Sequence, residues 1–65
     1  MTKGDKLTVY FSFEKETPGA VRYQEVDGRG NIIKINDGAA ISTLYVRKSA
    51  LKGKIPERLT VTVEA

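Results

Sequence analysis

Sixty-five residues make one domain, near the lower size at which a chain folds without a staple. The lack of cysteine excludes disulfides, and the lack of both Cys and His excludes the zinc and copper centres built on them. Eleven Lys and Arg against eight Asp and Glu leave a net charge of +3 and a pI near 9.4.

Residues 1–5 are polar and are expected to fray. Leu7-Thr-Val-Tyr-Phe-Ser-Phe13 then alternates apolar and polar residues, the period of a strand with one buried and one wet face. The spacing predicts a first strand over 6–13, with Leu7, Val9, Phe11 and Phe13 inside and Thr8, Tyr10 and Ser12 outside. Pro18-Gly19 marks a turn, since Pro presets φ and Gly accepts the positive φ that follows. A second strand over 20–26 sets Val21 and Tyr23 on one side, Arg22 and Gln24 on the other.

Asp27-Gly28 signals a tight turn, and Arg29-Gly-Asn31 extends it. Ile32-Ile-Lys-Ile35 is β-branched and is read as a short third strand, with a loop flap as the alternative. After Asn36-Asp-Gly38, a fourth strand over 40–48 carries apolar residues on both faces: Leu44 and Val46 on one, Ile41 and Tyr45 on the other. Ser49-Ala-Leu-Lys-Gly53 has the form of one helical turn, capped by Ser49 and ended by Gly53. Pro56 cannot donate to a ladder, so the last strand starts near Arg58 and runs through Leu59-Thr-Val-Thr-Val-Glu64.

The fold class that follows is all-β: a single domain over 1–65, built as a small antiparallel barrel or twisted sheet of about five strands with one short helical turn. The expected core is Leu7, Val9, Phe11, Phe13, Val21, Leu44, Val46, Leu51, Leu59, Val61 and Val63.

Thr43-Leu-Tyr-Val-Arg-Lys-Ser-Ala-Leu51, followed by Leu59-Thr-Val-Thr-Val-Glu64, resembles small uncharacterised single-domain bacterial β proteins. The resemblance is one of strand, capped turn and strand. It implies a bacterial β domain and brings no activity and no functional residue with it.

Chemistry is sparse. Without His or Cys there is no ready base or thiol nucleophile, and Ser49 to Lys52 has the spacing of a Ser-x-x-Lys motif without its partner motifs. Asp27-Gly-Arg-Gly-Asn31 could cradle an anion on its amides, but two glycines are equally explained by a turn. The eight acidic residues lack calcium-loop spacing. No catalysis, no metal, no cofactor and no small-molecule substrate are expected. No apolar run approaches the roughly 20 residues of a spanning helix, and the N-terminus lacks the apolar core of a signal peptide, so a soluble cytoplasmic protein is expected.

Charge points to partners. Residues 1–27 carry four basic and five acidic side chains, a net of −1, and residues 28–65 carry seven and three, a net of +4. Tyr10, Arg22, Tyr45 and Arg47 fall on the expected outward face, beside the basic run Lys48, Lys52 and Lys54. Two functions fit. The first is a non-enzymatic interaction module that associates with itself as a homodimer, since a small core without a staple gains stability from a second copy. The alternative is a sequence-tolerant single-stranded nucleic-acid binder, in which tyrosines stack on bases and cations meet phosphates.

Overall fold

A computed structural model describes residues 6–64. The expectation of a frayed 1–5 falls outside the described residues. Four strands form one antiparallel sheet: β1 (Lys6–Glu16), β2 (Ala20–Val26), β3 (Thr43–Arg47) and β4 (Arg58–Glu64). Their order is β3-β2-β1-β4, a meander of the first three strands with the last returning beside the first. The sheet curls into a half-barrel. One helical turn, α1 (Lys48–Leu51), follows β3 directly, and a 3-10 turn occupies Ile35–Asp37.

Register divides the side chains cleanly. Val9 lies opposite Val61, Phe11 opposite both Leu59 and Glu25, Phe13 opposite Tyr23, and Tyr23 opposite Leu44. These residues share one face. Val9, Phe11, Val21 and Tyr23 are buried there, with Ile41, Leu44, Val46, Leu51, Leu59 and Val61 packed around them. Each fully buried large side chain contributes about 2 kcal/mol by removal of apolar area from water. The segment after α1 crosses this face, held where the Tyr23 hydroxyl donates to the Pro56 carbonyl at 2.8 Å. Burial raises the Tyr23 phenol pKa, so the hydroxyl remains the donor.

Several expectations are corrected. Leu7, Phe13 and Val63 share the apolar face but stay exposed at 45%, 39% and 45%: Leu7 and Val63 lie at the far end of β1 and β4 from the covered core, and Phe13 stands at the bulge, edge-on to Tyr23. Tyr23, absent from the expected core, is fully buried, and so is Val26, which lies on the opposite face under the loop that follows it. The Ile32–Ile35 strand does not form. A single bridge joins Val26 to Ile32, after which the chain turns at Ile35–Asp37 and ends that turn at Gly38, whose φ of 94° is left-handed. Ile32 and Ile35 stay 61% and 75% exposed, so β-branched composition alone does not bring the run into the sheet.

The helical turn starts one residue earlier than expected, at Lys48, whose amide donates to the Gly19 carbonyl. No side chain caps it, so Ser49 does not play that part. Lys52 already adopts the left-handed conformation before Gly53 does. β1 runs beyond Phe13 through a bulge between Phe13 and Lys15, the extra residue being Glu14.

Candidate functional site

The face opposite the core carries Thr8, Tyr10 and Ser12 of β1, with Arg22 and Gln24 of β2 and Tyr45 of β3. Arg58, Thr60 and Thr62 of β4 continue it. Period-two alternation alone puts these residues together. Arg47 belongs to the same face, opposite Ala20.

At one corner Arg22 stacks over Tyr45, its guanidinium carbon 5.9 Å from the ring centroid. Its buried Nε lies 3.1 Å from Glu14 Oε1, so the charge is matched although the N–H is not directed at that oxygen. The bulge is what turns Glu14 toward Arg22. Tyr10 stands two strands from Tyr45, opposite Val26. A shallow groove of about 420 Å³ lies by this face, lined by Ser12, Phe13, Glu14, Gln24, Val26, Gly30, Ile32 and Lys34.

The other three cations sit elsewhere. Lys48 pairs with Glu16 at 3.0 Å, and Glu16 lies opposite Val21 on the core-side register. Lys52 and Lys54 belong to the segment that covers the apolar face, where Lys48, Leu51, Gly53, Lys54 and Ile55 line a small hollow. Tyr10, Arg22, Tyr45 and Arg47 therefore share one face, while Lys48, Lys52 and Lys54 attach to the covering segment.

The Asp27–Asn31 loop uses its amides internally. Asp27 Oδ1 accepts from the amides of Arg29 at 2.8 Å and Asn31 at 3.0 Å, which holds the carboxyl below its ordinary pKa. An anion-binding nest there would compete with a carboxylate already seated in it. Gly30 adopts φ of 89°, and the Arg58 guanidinium lies so close that a Cβ would meet it at 2.6 Å. Among the described residues no group of three or more metal-ligating side chains gathers. Among the described residues no helix is long and apolar enough to cross a membrane.

One residue that period-two reading passes over proves structurally decisive. Glu25 is buried on the apolar face, and its carboxylate accepts from the backbone amides of Ala40 at 3.1 Å and of Ile41 and Ser42 at 2.7 Å each. Burial pushes its pKa up, but the three amides together outweigh that and hold it low. An acidic residue at an inward position of a strand was the available signal; its partners are main-chain groups and leave no mark in the sequence.

No family model, no curated protein and no solved structure matches the chain. The resemblance to small bacterial β proteins finds no counterpart there.

Proposed function

We propose that this domain is a non-enzymatic interaction module that associates with a second copy of itself. The observation that carries the reading is the β1/β4 end of the sheet. Leu7 and Val63 face each other in register on the apolar side, and each is 45% exposed. The covered core lies at the other end, around Phe11, Val21 and Tyr23. An apolar pair left open beside a sheet edge that no described strand pairs with is a surface that a further strand would complete. Light scattering across a dilution series tests it. The expected mass at tens of micromolar is twice the 7.2 kDa of the chain. A mass of one chain throughout would remove the reading.

A second reading, the sequence-tolerant binder of single-stranded nucleic acid, is favoured by the open face, where Tyr10, Arg22, Tyr45 and Arg47 stand together. Against it weigh the acidic partners Glu14 and Glu16, which already engage Arg22 and Lys48. Titration of a labelled oligonucleotide at rising salt separates the two. Binding that falls steeply with salt and weakens in Arg47→Ala supports this second reading, and no shift at low salt ends it.

A further inference from the structure

The seven residues of β4 have the same pattern from either end. Arg58-Leu-Thr-Val-Thr-Val-Glu64 places Val61 at the centre, a Thr on each side of it, an aliphatic residue beyond each Thr, and opposite charges at the two ends. Such a strand is complementary to an antiparallel copy of itself. β1 is the only neighbour of β4 in the sheet, so no described strand pairs with its outer edge.

The hydrogen-bonding phase of that edge can be read directly. The Phe13 amide donates to the Glu57 carbonyl at 2.8 Å, so residue 57 faces β1. In an antiparallel ladder a residue's N–H and C=O point the same way, and the direction alternates along the strand. The pairing with β1 continues without a shift from Ser12↔Arg58 to Lys6↔Glu64. Leu59, Val61 and Val63 therefore bond inward. Arg58, Thr60, Thr62 and Glu64 turn their backbone groups outward.

We propose that the β4 edges of two copies pair antiparallel about a two-fold axis at Val61, giving a continuous eight-stranded sheet. This inference rests on the self-association reading above and adds the edge and the register. With the axis at Val61, Thr60 exchanges both backbone bonds with Thr62 of the second copy, and Arg58 does so with Glu64. All outward groups of the strand are then used. Leu59 falls opposite Val63 on the apolar face, so the open Leu7–Val63 corner of one copy adjoins Leu59 and Phe11 of the other. Arg58 falls opposite Glu64 twice, once on each side of the axis.

Moving the axis to Thr60 or Thr62 keeps the bonding phase but shortens the overlap and separates the charges. The other edge, β3, offers less. It has five residues, and its single cation, Arg47, would meet Thr43. Within one chain Glu64 pairs with Lys6 at 3.4 Å and Arg58 leans on Gly30. Both side chains are exposed on the open face and free to turn toward the edge.

Charge reversal tests the register, with sedimentation equilibrium as the readout and circular dichroism to confirm a folded sheet. Arg58→Glu alone and Glu64→Lys alone each convert two symmetric attractions into repulsions, and each should raise the dimer dissociation constant about tenfold. An equimolar mixture of the two variants should recover the dimer, because Glu at 58 then meets Lys at 64 and Glu64 meets Arg58. Thr62→Pro removes only an outward N–H, so it should give a folded monomer. Val61→Cys adds the single thiol of an otherwise cysteine-free chain. It should form a disulfide-linked dimer on mild oxidation, as residues opposed at a non-hydrogen-bonded position lie within bridging distance.

A wild-type chain that is monomeric throughout overturns this inference together with the self-association reading. A wild-type dimer unaffected by the single reversals and by Thr62→Pro, or a mixture that stays monomeric, overturns the β4 register alone.

Discussion

Glu25 and Asp27 stand two residues apart where β2 gives way to the long connection to β3, and both collect backbone amides with a carboxylate. Asp27 reaches residues two and four positions on, in an exposed turn. Glu25 reaches residues fifteen to seventeen positions on, from inside the apolar face. The exposed carboxylate shapes a local turn that water could otherwise solvate. The buried one fixes where a distant loop lies, and it supplies the only described partners of the Ala40 and Ile41 amides. The same chemistry is local punctuation in one place and tertiary structure in the other.

Removing the buried carboxylate should separate the two most sharply. Glu25→Ala strands three amides beneath the loop, and hydrogen bonds to a charged acceptor are each worth roughly 1.5–3 kcal/mol, so a loss of about 3 kcal/mol or more is expected in urea denaturation. That is a large part of what a domain of this size can hold. Glu25→Gln keeps one acceptor oxygen for Ile41 and Ser42 but turns an NH₂ toward the Ala40 amide. Its expected loss is smaller, about 1–2 kcal/mol.

Acid should reveal the same residue. The Glu25 carboxyl is held below its ordinary value of 4.5 in the folded chain, so its contribution is complete above that pH. It is lost as pH falls from there through the folded value. Thermal melts should show the wild type losing stability below about pH 4.5, and Glu25→Gln should flatten much of that slope. A wild-type curve parallel to that of Glu25→Gln would assign acid sensitivity elsewhere.

The smallest effect belongs to Asp27. Asp27→Ala should lower the melting temperature less than either change at Glu25. Hydrogen exchange should quicken at the Arg29 and Asn31 amides and leave the β2–β3 ladder protected. Loss of protection along β3 in that variant would mean that the turn is no mere local feature.

The contrast also separates what the chain reveals from what it hides. β1, β2 and β4 were legible because each alternates with period two against a partner of the same pattern, as in Leu7/Val63, Val9/Val61 and Phe11/Leu59. β3 is shorter than expected, Thr43–Arg47, because Ser42 leaves the extended region with a φ of 79°. Its preceding residues serve Glu25 rather than the sheet. Ile32–Ile35 had the residue types of a strand but no place in the register, a limit of propensity where packing decides. Of the candidate surface, Tyr10, Arg22, Tyr45 and Arg47 follow from alternation alone. The place of Lys48, Lys52 and Lys54 depends on how the chain folds back after β3, a tertiary matter that composition does not encode.

The strand order also has a kinetic side. β1, β2 and β3 are neighbours in sequence as well as in space, whereas β4 finds β1 only after nearly the whole described chain has been ordered between them. Closing so long a loop is entropically slow compared with forming a hairpin. The meander can therefore form first and present β1 as a half-filled template, its Lys6–Ser12 backbone waiting for a strand of complementary phase. During that interval the β4 of any nearby molecule is as good a match as the chain's own. Protein concentration during refolding thus becomes a variable of the folding reaction itself, with strand exchange between chains favoured as it rises.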